Sequence, residues 1–312
     1  MKRRCVGWVL AAVASLGAAC GSGRSPGPGP GVGPDPGPIP IVPQTVTFVG
    51  AGDIADCRPE GDNGRHGEDT AKLLDKIVDG STIVFTAGDN AYFTGTASEF
   101  ANCYGPRWGR HRSRTRPSPG NHEYDSPGAA PYFQYFGERA GPSGLGYYSY
   151  DHGNWHIISL NSMVPMSAGQ EQYVWLQDDL AAYKSTKCTL AYWHHPRFTS
   201  GPSLGGGFLD VWRLLYESGV DVVINGHDHG MERFEPQTFN GVSDPLGGIR
   251  EFIVGSGGAS LYGFQGNARN SGFTMSAYGV LKMTLRVDNY DWAYIEAVTE
   301  RTLDSRSGAL CH

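Results

Sequence analysis

Aspartate, asparagine and histidine recur in this sequence at one kind of place, where a short apolar run breaks off. The run "TVTFVGAGD" closes on Asp53, "TIVFTAGD" on Asp89, "CTLAYWHH" on His194 and His195, and "VDVVINGHDH" on His227, Asp228 and His229. A fifth cluster, Asn121, His122 and Glu123, follows the Pro- and Gly-marked turn of "PSPGNHEY". Carboxylates and imidazoles gathered in one place suit a divalent or trivalent transition metal. Each cluster alone has a plainer meaning. A Gly-Asp after a strand is commonly a turn or a helix cap. An Asn-His pair is commonly a loop hydrogen-bonding feature, and His194-His195 reads as one core and one exposed histidine. Five such clusters in one chain, in this order, are not accidental.

The apolar runs are the elements that must hold these residues. "TVTFVGAGD", "TIVFTAGD", "WHIISLNS", "CTLAYWHH" and "VDVVING" read as strands. Between them "GEDTAKLLDKIVDG" carries Leu73, Leu74, Ile77 and Val78 on one helical face, and "GQEQYVWLQDDLAAYK" and "FLDVWRLLYESG" read as further helices, the last closed by Gly219. Strand and helix alternate, which places the chain in the α/β class with a largely buried sheet. In such sheets ligands bind outside the carboxyl ends of the strands, so five polar clusters delivered to one edge make a single site. The tail differs: "IREFIVGSGG", "YGVLKMTLRV" and "YDWAYIEAV" follow one another as strands without helices. They are expected to form a second, more antiparallel sheet packed in the same domain, residues 45–312.

The motif order Gly-Asp, Gly-Asp-x-x-Tyr, Gly-Asn-His-Glu, His-x-Pro and Gly-His-x-His resembles the calcineurin-like metallophosphoesterase superfamily, and within it the purple acid phosphatase type. The resemblance runs from Asp53 to His229. It implies two mixed β-sheets packed as a sandwich and flanked by helices, in four layers, without the extra β-domain that precedes the catalytic domain in plant members. It also implies two metal ions. One would be held by Asp53, Asp89, Tyr92 and His229, the other by Asp89, Asn121, His194 and His227, with Asp89 bridging. The pair would lie about 3.5–4 Å apart and activate a hydroxide for in-line attack on phosphorus. The purple acid phosphatase assignment turns on Asp53-Ile54-Ala55, which lacks the histidine of the Asp-x-His found in other branches. Tyr92 is placed to fill that position, the alternative being a core aromatic beside the site. A phenolate is a hard anionic ligand, so Fe(III) is expected there and Fe, Zn or Mn at the second position. By the same resemblance His122 is the catalytic residue that is not a ligand, facing the phosphate and assisting the leaving oxygen; a structural imidazole hydrogen bond is its alternative. His195 is not expected to join the ligands, because neighbours on a strand point to opposite faces, a rule that the end of a strand can relax. Ala55 and Met231 stand where the family often has Gly and Tyr, which bears on pocket shape and not on the ligands.

The implied function is hydrolysis of small phosphate monoesters. A phosphodiesterase or nucleotidase using the same metals is the nearest rival, and a non-catalytic, surface-anchored binding lipoprotein the rival from another class. A net charge of −6 over 312 residues excludes a general nucleic-acid binder, whose footprint would be basic. Arg110, Arg112, Arg114 and Arg116 alternate in "RWGRHRSRTRP". On a strand they would line one face, either steering anionic esters or forming a solvated edge.

Residues 1–20 read as a secretory signal: Lys2-Arg3-Arg4, then an apolar stretch too short to span a membrane, then small residues. The residues before Cys20 resemble a lipoprotein box with the aliphatic position one place too far upstream. The protein is therefore expected to be exported, tethered through a lipidated Cys20 or secreted after ordinary cleavage. Residues 21–44 are a Gly/Pro-rich linker, extended and without a core. Cys57, Cys103, Cys188 and Cys311 remain, enough for two disulfides with three connectivities. Cys57 with Cys103 and Cys188 with Cys311 are the favoured pairs.

Overall fold

The first element of the described residues is strand β1 (Val46–Ala51), whose path returns through helix α1 (Arg65–Ile77) to β2 (Thr82–Ala87), parallel to β1. Residues 45–203 and 205–312 are described by the computed structural model. The leader, the linker and Cys20 lie outside them. A parallel return needs a crossover; α1 supplies it and buries Ala71, Leu73 and Leu74. After the short helix α2 (Ala97–Glu99) comes β3 (Thr115–Ser118), parallel to β2, and then helices α3 (Asn121–Tyr124) and α4 (Ala130–Phe136). The middle of the chain is β4 (Tyr148–His152), β5 (Trp155–Ser159), α5 (Glu171–Ala182), β6 (Cys188–Tyr192), α6 (Leu209–Glu217) and β7 (Val222–Asn225). The remainder is strand: β8 (Met231–Phe234), β9 (Arg250–Val254), β10 (Ser271–Met275), β11 (Gly279–Leu285), β12 (Asn289–Glu296) and β13 (Thr302–Leu310).

These strands form two mixed sheets, ordered β13-β12-β11-β1-β2-β3 and β10-β8-β9-β7-β6-β5-β4. The sheets pack face to face, with Phe48 and Phe85 of the first against Tyr192 of the second, and Phe252 against Trp292. The second sheet also has a buried outer face. In β6 and β7, Leu190, Tyr192, Val222 and Ile224 belong to the core between the sheets. Ala191 and Val223 belong to a second core, with Leu176 and Leu180 of α5 and Trp212 and Leu215 of α6. Burial on both faces is why these strands read as unbroken apolar runs.

Two expectations need correction. The tail strands build no sheet of their own. β9 pairs parallel to β7 in the seven-stranded sheet, while β11, β12 and β13 extend the β1 edge antiparallel. Consecutive apolar runs give strand identity but not partners, and edge pairing completed both sheets. The arginine run is not a strand either: residues Trp108–Arg114 form a 3₁₀ helix, and only Arg116 lies on β3. Arg110 pairs with Glu68 and Asp75, Arg114 donates to Gly80 O, and Arg112 and Arg116 lie over Tyr135 and Tyr150. These contacts engage the cations locally, so the run makes no common face directed at Asn121. The disulfides are Cys57–Cys103 and Cys188–Cys311, as favoured from sequence. The second joins β6 to the residue just after β13, and so links the two sheets. Among the described residues no helix is long and apolar enough to cross a membrane.

Candidate metal centre

The polar clusters do meet, but at the edges of two sheets rather than one. Parallel strands β1, β2 and β3 deliver Asp53, Asp89 and Asn121, and β6 and β7 deliver His194, His227 and His229. Packing the sheets face to face brings their carboxyl ends together. Asp53, Asp89 and His194 have no more than 1% of their surface exposed.

The donor atoms fall into two groups that share one oxygen. In the first, the Tyr92 hydroxyl lies 2.8 Å from Asp53 Oδ1, 3.2 Å from Asp89 Oδ2 and 3.1 Å from His229 Nε2. His229 Nε2 is 3.2 Å from Asp53 Oδ1. In the second, His194 Nε2 lies 3.1 Å from Asp89 Oδ2, 3.1 Å from Asn121 Oδ1 and 3.2 Å from His227 Nδ1. Asp89 Oδ2 belongs to both. Each group gathers oxygen and nitrogen lone pairs on one buried point, which is costly unless a proton or cation lies among them. The donor set fits two ions.

The surroundings aim these donors. His194 Nδ1 donates to Ala87 O at 2.8 Å and His229 Nδ1 to Ser260 O at 2.7 Å, which turns both Nε2 atoms inward. Asp53 Oδ2 accepts from the His227 backbone N–H at 2.8 Å, fixing the loop after β7. Glu123 is buried and accepts from the backbone N–H groups of Asn90, Ala91 and Gly120, which ties the β2 and β3 loops together. Asp228, between the two loop histidines, accepts from Thr199 and Ser203 and is committed to loop structure. Gly120 permits a close approach, since a Cβ there would lie 2.1 Å from Asp89 Oδ1. Asp53, Asp89 and His227 all hold positive φ, at 60°, 48° and 71°. Strained backbone of this kind gathers at functional sites.

The electrostatics demand positive charge. Burial opposes ionisation of Asp53 and Asp89, yet His229 and His194 beside the first, and His194 and His122 beside the second, hold both carboxyls below their usual range. Burial likewise opposes a charged His194, and the Asp89 and Asp53 carboxylates overcome it, lifting the imidazole to about 10. Burial and then the same two carboxylates push the Tyr92 phenol well above its ordinary value. A cation between these groups would reverse that push.

His122 stands at the rim, its ring 4.5 Å from Tyr92 and 4.5 Å from Phe93. Its backbone N–H donates to Asp89 Oδ1 at 2.9 Å and its Nδ1 lies 2.7 Å from Phe93 O, while Nε2 is 3.8 Å from Asp89 Oδ2. Two further residues stand at the centre, of which the sequence reading had placed His195 outside the ligands and had not singled out Tyr262. His195 comes within a 4.2 Å ring distance of His227, and its Nδ1 lies 2.8 Å from Ser162 Oγ. β6 ends at Tyr192, so strand alternation no longer governs residue 195. Tyr262 stacks on His229 at 4.1 Å and brings its hydroxyl 3.3 Å from His229 Nε2. It lies far along the chain from the histidine motif, and no local signal marks it.

Comparison with known proteins places the fold and the family. The family model for calcineurin-like phosphoesterase matches residues 46–231, more than half of the chain. Purple acid phosphatase 15 of Arabidopsis thaliana is 29% identical over 242 residues, covering 64% of this chain and 44% of its own. Purple acid phosphatase 23 of the same plant is 32% identical over 177 residues, covering 50% and 38%. The chain thus spans less than half the length of these relatives. Among solved structures, purple acid phosphatase PPD1 from yellow lupin (Lupinus luteus) seeds matches with a TM-score of 0.71 at 23% identity, over 84% of this chain and 53% of that one. GAP50, the anchor in the inner membrane complex of Plasmodium, matches with a TM-score of 0.67 at 15% identity, over 85% and 89%. At these identities the structural likeness carries the fold alone.

Proposed function

The chain belongs to the calcineurin-like phosphoesterase family, and from that premise we propose that it hydrolyses phosphate monoesters at a two-metal centre. The observation that carries the reading is Asp89 Oδ2, within 3.2 Å of Tyr92 on one side and 3.1 Å of His194 on the other. A carboxylate oxygen so placed can serve two ions.

In this reading Asp53, Tyr92 and His229 would hold one ion, Asn121, His194 and His227 the other, and Asp89 would serve both. The bound pair supplies Lewis acidity toward the phosphoryl oxygens and lowers the pKa of water. His122 is fixed by its Nδ1 contact to Phe93 O, which leaves Nε2 to face the reacting ester. As the oxygen of water bonds to phosphorus, the ester P–O bond breaks in line. Its electron pair leaves with the alcohol oxygen, which takes a proton from the His122 imidazolium at Nε2, and the proton released by the attacking water restores that imidazolium. Alcohol and inorganic phosphate are the products, with no covalent phosphoenzyme. Fe(III) is the proposed ion beside Tyr92, and Fe, Zn or Mn the second. Two disulfides suit an oxidising compartment, and the same proposal has the protein exported, tethered through Cys20 or secreted.

The test is phosphate release by purified, metal-loaded protein from a panel of monoesters, diesters and nucleotides. Monoesters are expected to be cleaved best. Preference for diesters would move the assignment to a phosphodiesterase, and no release from any member would overturn the enzymatic reading.

A further inference from the structure

On the His227 side of the centre a cavity of about 620 Å³ opens between two loops, within the size range of small-molecule sites. Ser162, Met163, Val164 and Met166 line one wall, and Phe208 and Leu209 the other. One contact joins the cavity wall to the site. Ser162, in its wall, lies 2.8 Å from His195 Nδ1, and the His195 ring is 4.2 Å from His227 and 6.4 Å from Phe208. The Phe208 wall is braced. The Arg197 guanidinium donates to Gly206 O at 3.0 Å, Gly207 O at 2.7 Å and Phe239 O at 3.0 Å. Among the described lining residues Asp210 alone is ionisable, and its Oδ2 accepts from the Ala168 N–H at 3.0 Å.

We propose that this cavity receives the carbon skeleton of the leaving alcohol and selects phosphate monoesters of uncharged, apolar alcohols. This rests on the phosphatase reading above. A phosphoryl group held at the two donor groups has its ester oxygen within the site, and a skeleton running past His195 enters a space walled by two methionines, a valine, a leucine and a phenylalanine. Burying apolar surface there favours long or aromatic chains. Methionine side chains adapt to more than one such shape. An anionic skeleton, as in a nucleotide, would meet no cation among the described lining residues and would face the Asp210 carboxylate.

The experiment is a series of primary alkyl phosphates, from ethyl through butyl to 3-phenylpropyl, whose alcohols are equally poor leaving groups. In the unsubstituted protein kcat/KM is expected to rise along the series, by roughly fourfold for each fully buried methylene. Met163→Lys and Phe208→Ala should each flatten that rise, with ethyl phosphate as the reference within each variant. As a readout independent of turnover, 3-phenylpropylphosphonate should shift the methyl resonances of ¹³C-labelled Met163 and Met166, and methylphosphonate should not. A flat series with ethyl phosphate still hydrolysed would overturn the inference and leave the phosphatase reading standing. So would a rise that both variants retain, or unmoved methionine signals. Failure to release phosphate from every ester would overturn the phosphatase reading, and this inference with it.

Discussion

The two sheets contribute different chemistry to one centre. The six-stranded sheet, through the ends of β1, β2 and β3, brings oxygen donors: Asp53, Asp89, Tyr92 and Asn121. The seven-stranded sheet, through β6 and β7, brings nitrogen donors: His194, His227 and His229. Neither sheet alone assembles a full set. Anions on one side and imidazoles on the other face each other across a buried interface, so a cation bound there would also tie the sheets together. The difference also ranks the residues, because one oxygen, Asp89 Oδ2, touches both groups while each imidazole nitrogen serves one.

The largest expected effect breaks that asymmetry. Asp89→Asn should leave less than one ion per chain and reduce turnover to that of metal-free protein, whereas His229→Ala should retain one ion. Elemental analysis of both purified variants checks this; equal losses would remove Asp89 from its shared position. Next in size, His122→Ala should keep both ions and slow turnover by about 10²–10⁴-fold, the range of general acid–base groups. The loss should be smaller for aryl esters with good leaving groups, as read by steady-state kinetics.

A third expectation sharpens the oxygen side. Tyr92 is the one phenol touching both carboxylates, and a phenolate on Fe(III) absorbs visible light, which filled-shell Zn(II) does not support. Iron-loaded protein should be coloured, and Tyr92→Phe should bleach it while the ion held with His194 stays. Absorption spectra with metal counts decide the point.

Two smaller effects concern what holds the sheets. Cys188–Cys311 closes a loop of 123 residues and fastens β6 to the end of β13. Cys188→Ser with Cys311→Ser should cost about 2–5 kcal/mol of stability in urea unfolding. The smallest effect lies at His156, buried on β5 with Nδ1 at 3.0 Å from Asp151 and Nε2 at 2.8 Å from Asp179. Burial works against its charge, and the two aspartates outweigh it and raise its pKa. A raised histidine contributes stability that is fully present below its unfolded value near 6.5 and is lost as pH rises through the higher folded value. Unfolding midpoints should therefore fall as pH climbs above 6.5, and His156→Gln should flatten that slope.

The sequence announced much of this arrangement, unevenly. Strand ends were readable because β1, β2 and β7 are short apolar runs cut by glycine and β6 is one cut by His194-His195-Pro196, and each delivers its polar residue within three residues of the break. Sheet membership was not, since an apolar run carries no mark of its partner; β9 and β11 read alike and lie in different sheets. The arginine run misled because alternation in sequence does not by itself make a strand; residues 108–114 turn as a 3₁₀ helix, and the four cations each find a local acid, carbonyl or ring. Residues that enter the centre from outside the motifs, Tyr262 and Ser162, were invisible, because proximity made by folding leaves no spacing to read. His195 was set outside the ligands by strand alternation, a rule that relaxes past the end of β6 at Tyr192.

The double burial of β6 has one more consequence. Its even-numbered residues Leu190 and Tyr192 look toward the first sheet, and His194 continues that side into the centre, while Ala191 and Trp193 look toward α5 and α6. A slip of one residue in pairing exchanges the faces of a strand. It would drive the Trp193 indole between the sheets and place an imidazole against the helices. Such a misthreaded chain would lose its packing and its donor geometry in one step.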